Sequence, residues 1–157
     1  MNNLVKKVLM AIIAVFFLSF TSTYSQTDSP EIQTVSKMLQ AFGKGDMEAL
    51  KNTLSENTVW HYNGSDAIPY SGTFKGKDGA VKFISAIMGS VDILDFKVNQ
   101  LLANGKTVVV LGSEKQKIKK NGKVLEQDWV QVYSVENNLI THMEEFANSA
   151  YAEKLFK

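Results

Sequence analysis

The second half of the chain, residues 91–147, reads as four runs of period two joined by short turns rich in Asn and Gly, and few folds accommodate that pattern. Leu94, Phe96 and Val98 carry the first alternation, and Leu101 and Leu102 lead to Asn104-Gly105. Runs at 107–119, 124–135 and 139–147 follow, separated by Asn121-Gly122 and Asn137-Asn138. Asn-Gly accepts the left-handed backbone of a two-residue hairpin, so neighbouring runs should pair antiparallel as a meander. Such a sheet has an apolar face that other elements must cover.

The first half supplies the cover. Pro30 and Glu31 open a helix reaching about Phe42, with Ile32, Val35, Met38, Leu39 and Phe42 on one face, and Gly43 ends it. Asp46 is a credible N-cap for a shorter helix whose apolar face is Met47, Leu50 and Leu54. The stretch 59–87 then gives a strand, a turn-rich passage, a short extended run at 70–74 and a third helix. On the strand, alternation puts His61 and Asn63 on one face and Trp60 and Tyr62 on the other. Gly76 and Asp78 introduce the third helix, with Val81, Ile84 and Met88 as its face and Phe83 and Ile87 beside it. A last helical turn is expected at 151–156. The order predicts an α+β fold: three N-terminal helices packed on a strongly curved, mostly antiparallel sheet, a cone whose open end suits a small molecule.

The first 25 residues are a different material. Lys6 and Lys7 precede an apolar run at 8–20, and Thr23 and Ser25 suit a signal-peptidase site, so a secretory signal peptide cut between Ser25 and Gln26 is expected. That run is short for a bilayer span of roughly 20 residues. The exported product, periplasmic or secreted, is expected to keep no stable membrane insertion. Removing residues 1–25 from the 157 leaves 132, one domain's worth, and takes two lysines from a net charge of +1, leaving −1. There is no cysteine, hence no disulfide framework.

Near-neutral charge argues against nucleic acid as partner. Lys115, Lys117, Lys119, Lys120 and Lys123 bracket Asn121-Gly122, where a solvated hairpin tip accounts for them. His61 and His142 are the only histidines and lie on different strands, so no metal site is expected. His142 shares a face with Ile140, Glu144 and Phe146 by simple alternation and reads as structural. No phosphate loop occurs, and no cofactor is expected.

Several passages resemble the SnoaL-like branch of the nuclear transport factor 2 family. They are Asp46 with the second helix, Trp60 followed by Tyr62-Asn63-Gly64, the run 68–76, Ala103-Asn104-Gly105-Lys106 and Leu139-Ile140-Thr141. The resemblance covers about 31–156 and implies the cone fold, which hosts cyclases, isomerases, epoxide hydrolases, dehydratases and non-catalytic binders. By resemblance to limonene epoxide hydrolase, His61 and Asn63 stand at its Tyr and Asn, and Glu114 and Glu145 at its two relay Asp residues. Gly112 stands where that relay has its bridging Arg, a departure from the mechanism. By resemblance to the SnoaL-like cyclases, Asn148 replaces an Asp near the last strand.

Alternation offers an independent reading. Val108, Val110, Gly112, Glu114, Gln116 and Ile118 share one face, as do Trp129, Gln131 and Tyr133, and Met143 with Glu145. If these faces line the cone, Trp129, Tyr133 and Met143 are apolar walls, and Glu114, Gln131, Glu145, His61 and Asn63 are polar points. The catalytic expectation falls on Glu114, Glu145 and His61; contacts to a small apolar or polycyclic substrate fall on Asn63, Trp60, Trp129, Gln131, Tyr133 and Met143. Two carboxyls in one dry cavity repel, so one is driven up in pKa and can act as a general acid for isomerase, cyclase or hydrolase chemistry. Alternatively the glutamates are salt-bridged on a surface face, His61 is a hydrogen-bonded structural residue, and Trp129 and Tyr133 are core packing. A non-catalytic carrier and an interaction module are the other readings, the latter as a homodimer through Val109, Leu111, Val130 and Val132 on the sheet's other face.

Overall fold

A computed structural model describes residues 29–157; the expected signal peptide and its cleavage point lie outside the described residues. Helix α1 (Pro30–Lys44) starts where Ser29 accepts a hydrogen bond from Ile32 N and Pro30 supplies a preset φ. It runs past Gly43 and stops at Gly45, whose φ of 69° is the left-handed cap. Helix α2 (Met47–Lys51) is capped by Asp46, which accepts from Ala49 N at 2.9 Å. Leu54, expected on its apolar face, instead begins strand β1 (Leu54–Tyr62). Strand β2 (Gly72–Lys75) and helix α3 (Gly76–Ser90) follow. The meander is β3 (Val91–Asn104), β4 (Thr107–Ile118), β5 (Val124–Glu136) and β6 (Leu139–Ala147), and α4 (Ser149–Phe156) closes the order.

The six strands form one curved sheet in the order β2-β1-β6-β5-β4-β3. Only the β1–β6 pairing is parallel. The α+β architecture is thus as expected, with α4 added to the three early helices. Asn137 and Asn138 both take left-handed φ, 51° and 59°, and make the tight β5–β6 turn. The first hairpin turns on Gly105-Lys106 rather than Asn104-Gly105, since Asn104 still pairs with Thr107.

Burial corrects three faces. On α3 the buried residues are Gly79, Ala80, Phe83 and Ile84, while Met88 is 49% exposed and Val81 half-buried. Gly79 permits this rotation, because the helix lies so close to β2 that a Cβ there would meet the Phe74 backbone at 3.0 Å. On β6, pairing shifts register between Ser134 and Val135, a bulge that leaves Thr141 without a residue opposite it on β5. Ile140 therefore turns into the core with Met143, and His142 does not share its face as simple alternation implied. Leu94 and Val98, expected to alternate with Phe96 into the core, are exposed: β3 is an edge strand with register shifts at 93–95 and 98–100.

Candidate functional site

The inner face of the sheet and the helices enclose a cavity of about 40 Å³, roughly one water's share of liquid volume. α1 contributes Met38, Leu39 and Phe42, and α3 contributes Phe83, Ile84 and Ile87. The sheet contributes Trp60, Ile93 and Phe96 as apolar wall and Glu114, Gln116, Gln131, Tyr133 and Glu145 as a polar floor. Leu39, Phe42, Ile87, Ile93 and Phe96 are half-buried and form its solvent side.

The floor is a set of hydrogen bonds dictated by strand register. Glu114 pairs with Gln127 across β4–β5, and Gln127 Nε2 donates to Glu114 Oε1 at 2.7 Å. Gln116, two residues along and so on the same face, donates from Nε2 to Glu114 Oε2 at 2.6 Å. Tyr70 OH donates to Gln116 Oε1 at 3.3 Å. Gln131 pairs with Glu145 across β5–β6, and its Nε2 donates to Glu145 Oε2 at 2.8 Å. Tyr133 OH donates to Gln131 Oε1 at 2.6 Å. Tyrosines hold the amide oxygens of Gln116 and Gln131, so their N–H groups face the carboxylates, whereas Gln127 Oε1 has no partner among the described residues.

The two carboxyls are bonded unequally. Glu114 receives an N–H on each oxygen, whereas among the described residues Glu145 receives one, on Oε2. Both are buried, 8% and 6% exposed, and no cation faces either of them among the described ion pairs. Burial, with the charge of Glu114 second, pushes Glu145 up to about 8 against the hydrogen bond from Gln131. Burial also raises Glu114, but the bonds from Gln127 and Gln116 pull it back. Glu145 is therefore the group that holds a proton at neutral pH, and Glu114 the one better equipped to lose it. Burial likewise drives Tyr133 and Tyr70 far up, so both stay protonated donors.

The SnoaL-like domain family matches residues 35–143, over half of the chain. The chain belongs to that family. A nuclear transport factor 2-like protein from Burkholderia xenovorans LB400 superposes with a TM-score of 0.77 at 22% identity, over 85% of this chain and 100% of the other. TerC, co-crystallised with polyporic acid, gives 0.72 at 18% identity, over 82% and 98%. A protein from Jannaschia sp. CCS1 assigned as a SnoaL-like polyketide cyclase gives 0.71 at 12% identity, over 83% and 94%. No curated protein matches the chain by sequence.

In this SnoaL-like domain, Glu114, Glu145, Gln131, Tyr133 and Trp60 meet in the cavity. His61 and Asn63 do not, which corrects their expected place among its polar points. Trp60 and Tyr62, the larger apolar side chains of β1, take the inner face at 3% and 1% exposure, and alternation sends His61 and Asn63 outward. There His61 Nδ1 lies 2.8 Å from Thr73 Oγ1. Asn63 instead braces β6: its Nδ2 donates to Glu144 Oε1 at 3.0 Å, and its backbone N donates to the Glu145 carbonyl at 3.0 Å. Trp129 and Met143, expected as walls, are fully packed outside the cavity lining; Trp129 stacks on Phe96 at 5.0 Å between ring centroids. The alternation of β4 places Gln116 on the inner face without giving it a role; cross-strand register alone brings Gln127 to Glu114, and Tyr70 reaches Gln116 from the turn before β2. Among the described residues no cluster of His, Cys, Asp and Glu could hold a metal, and no helix is long and apolar enough to cross a membrane.

Proposed function

We propose that this SnoaL-like domain binds a small, mainly apolar carbonyl compound in its cup and moves a proton on it without a cofactor. The unequal bonding of Glu114 and Glu145 carries this reading. Glu114 takes the proton from the carbon beside the carbonyl while Glu145 gives its own to the carbonyl oxygen. A C–H bond breaks, an O–H bond forms, and the neutral enol results; returning a proton to another carbon completes an isomerisation. Such paired transfer contributes typically 10²–10⁴-fold. Two proteins of the same fold support the substrate class: TerC holds polyporic acid, and the Jannaschia protein is assigned to polyketide cyclisation.

The test is deuterium incorporation from solvent into cyclic ketones. The wild-type protein should exchange the α-protons well above the buffer rate, and Glu145→Gln should lose about 100-fold or more. Exchange no faster than buffer for every ketone tried would rule the reading out.

A second reading, binding without turnover, is favoured by one observation. Both oxygens of Glu114 are already held by glutamines, which stabilises the carboxylate and weakens it as a base. Saturable binding with no exchange would select it. We further propose export, from the basic-then-apolar pattern of the first 25 residues, and a homodimer through the half-buried Val109, Leu111, Val130 and Val132 on the outer face. N-terminal sequencing of the processed protein and sedimentation read these two separately.

A further inference from the structure

Most polar atoms around the cup satisfy one another, which makes the exceptions informative. Among the described residues, six buried side-chain N or O atoms have no hydrogen-bond partner, and only one of them, Trp60 Nε1, belongs to a residue lining the cavity. Trp60 is 3% exposed, so its N–H is cut off from bulk water. An indole nitrogen can only donate. Phe83 packs against it at 5.8 Å in an edge contact, and no polar group of the cavity floor accepts from it.

Register sets Trp60 close to Glu145. β1 runs parallel to β6 with Trp60 opposite Met143 and Tyr62 opposite Glu145. Trp60 is thus the diagonal neighbour of Glu145 on the same face, within reach of an aromatic side chain. Among the described residues, Glu145 Oε1 is the one oxygen of the two carboxyls that receives no hydrogen bond. The cup therefore offers an unused N–H and an unused carboxyl oxygen, surrounded by apolar wall.

We propose that the Trp60 indole N–H is a ligand-binding donor that hydrogen-bonds the carbonyl oxygen of an apolar guest in the same cavity as Glu145. The inference rests on the cup being a ligand site, as argued above, and names the atom that selects a carbonyl over a hydrocarbon of the same shape. An anion is disfavoured there, since the cup already holds two carboxyls and no cation.

The test uses a matched pair, cyclohexanone and methylenecyclohexane, which differ in =O against =CH₂. The chain has two Trp residues, so a ¹H–¹⁵N spectrum carries two indole signals, assigned through Trp129→Phe. Cyclohexanone should move the Trp60 indole proton downfield and slow its exchange, and methylenecyclohexane should do neither. The wild type should prefer the ketone by about five- to tenfold, the worth of one hydrogen bond. Trp60→Phe should cut that preference to the share Glu145 supplies while still binding the hydrocarbon; if Trp60→Phe does not fold, the wild-type spectrum decides. Ketone binding with an unmoved Trp60 signal, an equal preference in both proteins, or no ketone binding at tens of millimolar would overturn the proposal. Deuterium exchange with an unmoved indole would leave proton transfer standing and remove Trp60. An indole shift without exchange would do the reverse.

Discussion

Gly112 and Trp129 are partners across the β4–β5 ladder, and a Cβ on Gly112 would sit 2.0 Å from the Trp129 ring. The indole lies over the glycine and stacks on Phe96, filling the place a side chain at 112 would need. A side chain such as the Arg that the resemblance to limonene epoxide hydrolase would call for at 112 has no room there: the space is already full of tryptophan. Gly112→Ala should destabilise the fold by about 1–3 kcal/mol through overpacking, and more if the ring cannot tilt. Urea melts of Gly112→Ala, Trp129→Leu and the double variant measure it. The double variant should lose less than the two singles summed, and strict additivity would mean the two residues do not crowd each other.

Glu145 should make stability fall as pH rises. Its folded pKa, about 8, is above its ordinary value of 4.5, so between those limits the folded protein keeps a proton that the unfolded chain has released. Stability is full below about pH 4.5 and is lost through pH 8, on the order of a few kcal/mol across that window. Thermal melts at pH 5 and pH 8 should show a larger drop for wild type than for Glu145→Gln. Equal drops would mean Glu145 is not the proton holder.

Gln127 should set the acidic limb of any activity. Its amide donates 2.7 Å to Glu114 Oε1 and favours the ionised form. Gln127→Leu removes that donor from a buried site, so Glu114 should bind its proton more tightly. Carboxyl-carbon NMR should show its titration at higher pH, and deuterium exchange should begin to fail at higher pH on the acid side. An unchanged Glu114 titration would contradict the assignment of the base.

His61 should be dispensable to the cup. It faces away from the cavity, and among the described residues its ring bonds to Thr73 alone. His61→Ala should change stability by no more than about 0.5 kcal/mol, as for an ordinary surface substitution, and leave ketone affinity unaltered. A clear loss of affinity by calorimetry would show that the β1 face had been placed wrongly.

Alternation alone grouped Glu114 with Gln116, Gln131 with Tyr133 and Glu145 with Met143 on shared faces, because a regular strand offers only two directions; the fold decided that those faces point inward. The Asn and Gly turns likewise announced the meander, since few residues tolerate left-handed backbone, and Asp46 announced the start of α2. Sequence could not choose the face of β1. Both faces carry polar groups, and only the volume of Trp60 and Tyr62, demanded by the space under α3, turned His61 and Asn63 outward. Nor could it foresee the bulge at Thr141, the stacking of Trp129 over Gly112, or the convergence of Gln116 and Gln127 on one carboxylate. Those depend on strand order and register between segments far apart in the chain, and a local pattern carries no information about which distant backbone lies 5 Å away.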